Sequence, residues 1–422
     1  MRVHEERTLT KPWPQRGWSW PIRVGVAIGA LALLLVLGRV LVMTPSAEAH
    51  TDVTFTLIYS FKGSPDGSSP EAGLIRDGAG NFYGTTSSGG PSGYGTVFKL
   101  DATGAETVLY GFTGGADGSN PFGGLVRDAA GNLYGNTYRG GGNGCASYGC
   151  GTVFKLDTTG TETVLYRFTG GADGRNPLGS LVRDSAGNLF GTTYYGGSSN
   201  NCYQGCGTVF KLATTGVETV LHSFTGDPDG NWPWAGLIRD ATGNLYGTTH
   251  QGGGASAWGT VFKLDTTGAE TVLYSFKGDP DGGEPDAGLI LDAAGNLYGT
   301  THYGGGGGCQ DGCGTVFKLD TTGTETVLHS FQGNPDGGSP VAGLIRDAAG
   351  NLYGTTLYGG AVGKGTVFKL DTTGTETVLH SFTGAAGEWP TAGLIRDTAG
   401  NIYGTTPYGG RGFAGEVFKL SR

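Results

Sequence analysis

Seven near-copies of one phrase fill most of this 422-residue chain, and no other feature restricts its fold as strongly. One copy begins at Gly343-Leu344-Ile345-Arg346-Asp347 and runs through Asn351-Leu352-Tyr353-Gly354-Thr355-Thr356. It continues with Gly365-Thr366-Val367-Phe368-Lys369-Leu370 and closes at Thr377-Val378-Leu379-His380-Ser381-Phe382. The marker aspartate recurs at Asp77, Asp128, Asp184, Asp240, Asp292, Asp347 and Asp397, at spacings of 51, 56, 56, 52, 55 and 50. A self-similar period of this length is the mark of a repeat architecture.

Each unit holds four strand-like runs. In the second they are Gly124 to Arg127, Leu133 to Thr137, Thr152 to Leu156 and Thr163 to Phe168. Asp128-Ala129-Ala130-Gly131-Asn132 joins the first two, and Asp157-Thr158-Thr159-Gly160 joins the last two. In both, Asp can accept backbone hydrogen bonds at the turn start and Gly can take a positive φ. Two tight hairpins make an antiparallel meander. Glycine is 85 residues and proline 17, a content that borders on disorder. The glycines recur at fixed places between Val, Leu, Phe, Tyr and Thr runs, however, as turns between strands require. Val153-Phe154-Lys155-Leu156 carries apolar side chains on both faces, as a sheet stacked between two neighbours would. A four-stranded unit of this length fits a propeller blade.

The repeat is offset at its ends. Phe55 to Phe61 reads as a fourth-type strand without the preceding three, and Glu416 to Leu420 as a third-type strand without a fourth. A closed ring explains this: the first strand completes the last blade. The expected fold is therefore all-β, a seven-bladed β-propeller of four-stranded antiparallel blades, closed by residues 55–61 on the blade of residues 393–420. A linear solenoid would instead need polar caps.

Residues 1–49 stand apart. Arg2, Arg7, Lys11, Arg16 and Arg23 precede an apolar run from Val24 to Leu37, which resumes after Arg39 as Val40-Leu41-Val42-Met43. Ala47-Glu48-Ala49 has the small-x-small form of a signal-peptidase site. The segment reads as a cleaved signal peptide, with an uncleaved anchor over 24–43 as the alternative. Residues 50–53 are then a short linker and 54–422 the propeller, outside the cytoplasm on either reading. The first 49 residues carry six Lys or Arg and three Glu, leaving 21 positive and 33 negative charges on the rest, a net of −12. A phosphate-binding surface needs a basic stripe and none is visible, so nucleic acid is not expected as a partner.

The two tight turns hardly vary among the seven units and belong to one rim. The other two connections belong to the opposite rim and hold nearly all the variation. One runs inward from a fourth strand to the next first strand, as in Gly226 to Trp234; the other joins second to third strand, as in Thr249 to Gly259. Function on rigid scaffolds concentrates on such loops. All six cysteines lie there: Cys145 and Cys150, Cys202 and Cys206, Cys309 and Cys313, each pair in one second-to-third-strand loop. Pairing within each loop is the simplest of the 15 connectivities and suits an oxidising compartment. A metal site would need four convergent ligands where each loop offers two, so none is expected.

Aromatic and imidazole side chains gather on the same rim and are the ligand-binding candidates. They are Trp232, Trp234, Trp258 and Trp389, Tyr138 with Arg139, Tyr194 with Tyr195, His250, and His302 with Tyr303; Tyr358 and Tyr408 hold matching positions. Such rings suit the flat faces of sugars or peptides; the competing reading is a lid over the core. Because Trp232 and Trp234 flank Pro233, an extended segment would point them opposite ways. Asp66, Asp117, Asp173, Asp229, Asp281 and Asp336, each followed by Gly, read as turn residues, with calcium at Asp227/Asp229 or Asp279/Asp281 as the alternative. Arg76, Arg127, Arg183, Arg239, Arg346 and Arg396 read as ties between blades through carbonyls or Asp, with an anion-binding ring as the alternative. His222, His329 and His380 fill a slot held by Tyr in other units and read as packing residues. No Gly-x-Ser-x-Gly elbow, His-Glu-x-x-His or phosphate loop occurs, so no catalytic residue is assigned; His250 and His302 are the weak candidates for acid–base work.

Ala-Gly-Asn-Leu-Tyr-Gly-Thr-Thr, Gly-Thr-Val-Phe-Lys-Leu-Asp and Glu-Thr-Val-Leu-His-Ser-Phe, as they stand in residues 349–382, resemble the tandem repeat of the choice-of-anchor GloVer proteins. The resemblance covers residues 54–422. It implies a bacterial, exported, propeller-like protein held to the envelope by varying anchors, and it carries over no catalytic residue. Since the chain stops at Arg422 without a sorting tail, only the N-terminal segment would anchor it. The expectation is a monomeric, non-catalytic exported propeller without cofactor, binding a glycan or protein on its loop-rich rim. The alternatives are a propeller lyase or glycosidase, or a purely structural envelope protein.

Overall fold

Seven four-stranded antiparallel sheets follow one another along the chain of the computed structural model, which describes residues 53–421 apart from 143 and 147. The proposed signal or anchor segment, residues 1–49, lies outside the described residues. Blade 1 comprises Ile75–Arg76, Phe82–Thr86, Thr96–Leu100 and Glu106–Gly111, paired in that order. Blades 2 to 6 repeat the pattern. Blade 7 has Ile395–Arg396, Ile402–Thr406 and Glu416–Ser421, and its outer strand is Thr54–Ser60 from the other end of the chain. Thr54 pairs with Ser421 and Ser60 with Glu416, so the expected closure is present.

The word Thr-Val-Phe-Lys-Leu explains why the blades stack. Alternation sends Val97 into the core between blades 1 and 2, while Phe98 and Leu100 enter the core between blades 7 and 1. Seven such inter-blade cores form, each closed by a phenylalanine from the inward loop meeting a third-strand phenylalanine edge-on. Phe61–Phe98 and Phe224–Phe262 are examples, with centroids 5.0 and 5.1 Å apart. An edge-to-face pair adds about 0.5–1.5 kcal/mol beyond its buried area. The second-strand glycine makes room: a Cβ on Gly84 would lie 2.6 Å from the Phe98 ring.

The Thr-Thr pair has two separate tasks. In five blades the first threonine donates to a backbone carbonyl of the next blade, as Thr192 does to Ala235 (3.0 Å) and, across the closure, Thr405 to Ala72 (3.3 Å). The second meets the first threonine of the third strand, as in Thr193–Thr208 at 2.8 Å. In blade 7 that third-strand position is Glu416, which is 1% exposed with neither carboxylate oxygen bonded to a protein group.

The structure refines three readings of scaffold residues. The arginines tie blades by stacking rather than through carbonyls: the Arg127 guanidinium lies 5.8 Å from the Tyr83 ring of the preceding blade, and Arg183 lies 5.6 Å from Tyr134. His222 and His329 do more than pack, because Nε2 of each contacts Asp229 or Asp336 at 3.0 and 3.3 Å. Tyr59, Tyr110, Tyr166 and Tyr274 make the same contact with their Asp. The seventh inward loop has Ala385-Ala386 there, so His380 Nε2 is buried without a partner, and burial pushes its pKa down to about 4. The third is the turn reading of the loop aspartates, which holds: Asp229 accepts from Thr225 N and Oγ1 within its loop, while Asp227 accepts from Gly254 N.

The cysteines pair within their loops as Cys145–Cys150, Cys202–Cys206 and Cys309–Cys313, with Cα atoms 5.3, 5.0 and 5.1 Å apart. Reduction should therefore add six hydrogens to the mass, and an unreduced peptide map should show only these local pairs. Links between loops in that map would contradict the assignment.

Candidate functional site

The variable rim is built in concentric steps, because each inward loop descends from an outer strand to the next blade's first strand. Furthest out, the residue before the third-strand glycine covers the next inward loop. In blades 2, 3 and 5 that residue is the second cysteine of a clip. In blade 4 it is Trp258, whose ring is where a Cβ on Gly278 or Gly283 would collide. Trp258 thus occupies the place of a disulfide, touching only Tyr303 among the other candidates, at 6.5 Å between centroids.

One step inward, the inward loop bridges to the residue two past the Thr-Thr pair, as Asn231 to Gln251 and Gly283 to Tyr303. The following residue takes a positive φ in every unit (Ser69, Asn120, Asn176, Trp232, Glu284, Ser339 and Trp389, φ 51 to 59°). A proline follows each of these. This bend cancels the alternation of an extended strand. Trp232 and Trp234 therefore do not point opposite ways: both meet Tyr194, at 6.1 and 5.3 Å between centroids.

The residue after that proline and the residue after Thr-Thr lie on the side of the short first strands, and the seven pairs together make up the inner mouth of this rim. Going round from blade 1 these pairs are Glu71/Ser87, Phe122/Tyr138, Leu178/Tyr194, Trp234/His250, Asp286/His302, Val341/Leu357 and Thr391/Pro407. The mouth is strongly uneven. Blades 2 to 4 give it aromatic rings, with Phe122 edge-on to Tyr138 at 5.5 Å. Blades 4 and 5 give it a polar corner, and blades 6 and 7 contribute mostly small or aliphatic groups.

Asp286 organises the polar corner. One carboxylate oxygen lies 2.6 Å from His250 Nδ1 and the other 3.1 Å from His302 Nδ1. His250 Nε2 faces Glu284 at 3.7 Å, and Gln251 Nε2 donates to the same Glu284 side chain at 3.1 Å. His302 stacks on Tyr303 with centroids 4.1 Å apart and planes 6° from parallel. Burial alone would raise the Asp286 pKa, but the two imidazoles hold it well below the usual range. Burial likewise works against a charged His250, yet Asp286 and then Glu284 outweigh it and raise its pKa. Glu71, on blade 1, is pushed up to about 7 by burial, with the Ser87 hydroxyl (3.0 Å) opposing the shift. Among the described residues no three His, Cys, Asp or Glu side chains converge as metal ligands do.

Of the expected ligand-binding residues, Tyr138, Tyr194, Trp234, His250 and His302 meet at the mouth. Trp232, Tyr195 and Tyr303 back them, and Arg139 lies over the Tyr138 ring at 5.5 Å. Trp258 and Trp389 are elsewhere. Trp389 belongs to blade 7, packed on Tyr408 and covered by Lys364, whose Nζ is 4.4 Å from its ring. Tyr358 and Tyr408 are the more exposed rings, at 38% and 39%. Asp286, Glu284, Glu71 and Phe122 were absent from the expectation. For Asp286, Glu71 and Phe122 the signal was available in the sequence: aligning the residue after each loop proline gives Glu, Phe, Leu, Trp, Asp, Val and Thr, the most varied column of the repeat.

A family profile described as the Gloeobacter/Verrucomicrobia repeat matches residues 38–204 and again 203–418. No curated protein matches this chain. Among solved structures, the extracellular domain of a candidate hybrid two-component system from B. thetaiotaomicron aligns with a TM-score of 0.55 at 14% identity, over 87% of this chain and 39% of that one. A second such domain from the same organism aligns at 0.54 and 12% identity, over 87% and 41%. A candidate 6-phosphogluconolactonase from Bacteroides uniformis aligns at 0.50 and 16% identity, over 79% and 88%. What is shared at these identities is the fold, and this chain spans about two fifths of the length of the two extracellular domains.

Proposed function

The chain belongs to the Gloeobacter/Verrucomicrobia repeat family, and from that premise we propose that it is an exported propeller that binds a glycan or a protein at its channel mouth. The repeat accounts for the ring, so the ligand is met where the seven copies differ most. The observation that carries this reading is the meeting of Tyr194, Trp234, His250, Asp286 and His302 from three consecutive blades. Aromatic faces beside fixed polar groups are what a sugar ring or a peptide side chain requires. Export is supported by the basic and apolar segment of residues 1–49 and by three disulfides in a chain with no free cysteine among the described residues. The acidic propeller carries no basic stripe for nucleic acid.

A glycan array and a surface pull-down with the wild-type protein should yield a ligand. Trp234→Ala should weaken its binding by roughly thirty-fold, the loss of one anchoring ring worth about 2 kcal/mol. Trp258→Ala, in the disulfide position, should leave affinity within about two-fold. An affinity that falls with Trp258 and not with Trp234 would move the site off the mouth, and no ligand in either screen would favour the structural reading.

A further inference from the structure

We propose that the mouth also performs proton transfer, with His302 Nε2 as the general base in hydrolysis of an ester carried by a sugar-sized ligand. This goes beyond the binding reading while sharing its site. Asp286 accepts from both imidazoles, so both Nδ1 atoms carry hydrogen. His250 has the shorter contact, and Glu284 stands on its other side, so a positive charge is favoured there. In its neutral form His302 carries its lone pair on Nε2.

That nitrogen has no protein partner among the described residues, the side chain is 16% exposed, and the ring is clamped between Asp286 and Tyr303. A carboxylate that fixes the tautomer and orientation of an imidazole makes the distal nitrogen a directed base. Among the described residues no Ser or Cys side chain hydrogen-bonds to His302, which leaves water as the group it would activate. In the step proposed, His302 Nε2 takes a proton from water while the oxygen adds to the ester carbonyl carbon. The carbonyl re-forms as the C–O bond to the alcohol breaks, and His302 returns the proton to the departing alkoxide. One ester and one water give one acid and one alcohol, and the histidine is regenerated. Both Asp286 oxygens are taken by imidazoles, so the paired-carboxylate chemistry of a glycosidase is not available to it.

The test is hydrolysis of p-nitrophenyl acetate and of acetylated and lactone sugars by the full chain. Wild type should turn over at least one of them, with kcat/KM rising with pH as a base-catalysed step requires. His302→Asn, which keeps a donor for Asp286 and deletes the base, should lower kcat/KM at least about 100-fold with the melting temperature unchanged. His329→Gln, in a structural Asp contact outside the mouth, should keep the wild-type rate. Turnover absent from wild type across the panel, or equal in His302→Asn, overturns the inference, and so does a rate with no pH dependence. This last result needs no variant to fold. Binding that depends on Trp234 without any turnover would remove catalysis and leave the binding reading intact.

Discussion

Deleting Val53 to Phe61 should lower the melting temperature by on the order of 10 °C or more, because it opens the ring rather than trimming an end. The deletion strips the pairing partner from residues 416–421. It also removes Phe61, wholly buried between blades 7 and 1, and Phe55, Ile58 and Tyr59, which pack on the cores either side of blade 7. A buried phenylalanine alone is worth about 3–5 kcal/mol, a large part of a total stability of about 5–15 kcal/mol. Spread over a domain of this size, such losses move the midpoint by a few degrees per kcal/mol at most. Leu57→Ala, at a position 41% exposed on the same strand, serves as the control and should melt close to wild type. A deletion that melts like wild type would mean that the ring does not depend on this closure.

The second large effect is expected at Glu416. Six blades place threonine at the start of the third strand, hydrogen-bonded to the second-strand threonine; blade 7 places a buried carboxyl there with no partner. Burial raises its pKa to about 7, so the folded chain holds this proton more tightly than the unfolded chain does. The resulting contribution is fully present below the unfolded value near 4.5 and is lost as pH rises through about 7. Glu106, Glu162, Glu218, Glu325 and Glu376, raised to about 7, and Glu270, raised to about 6, act in the same direction, chiefly through burial. His250 adds to the trend, and His380, which burial keeps neutral, opposes it. The wild-type melting temperature should therefore fall between pH 5 and pH 8. Glu416→Thr should raise it at pH 8, since an unsatisfied buried polar group costs about 1–3 kcal/mol, and should change it less at pH 5. A lower melt for Glu416→Thr at pH 8 would show that the ionised carboxylate has a stabilising partner.

The fold was legible because each level of the sequence points the same way. The Asp-x-x-Gly turns, the two-sided apolar words and the offset of residues 55–61 against 416–420 each imply a closed ring of meanders. The site was only partly legible. His250 and His302 stood out by residue type, but Asp286, which joins them, was not singled out. Its role depends on neighbouring blades placing their post-proline and post-threonine residues side by side, a relation about 36 residues apart for His250 and Asp286 that local periodicity does not display. The pairing of Trp232 and Trp234 was misjudged for a different reason. Alternation assumes an extended backbone, and the φ of 59° at Trp232 breaks it. Trp258 misled because tryptophan on a variable loop resembles a binding residue, whereas its position in the repeat is that of a cysteine.

The bond between the two ends also sets an order of events in time. A chain that crosses a membrane or leaves a ribosome from its N-terminus presents Thr54–Ser60 first and Glu416–Ser421 last. Its outer strand must wait, unpaired, through the delivery of six complete blades. Until the final strand arrives, the nascent domain is an open arc with an adhesive edge at each end, and neighbouring chains in the same state can pair with those edges. Whatever escorts this protein while it is being made has its main work in that interval, and a circular permutant that starts between blades, with a short linker joining the old ends, would shorten it.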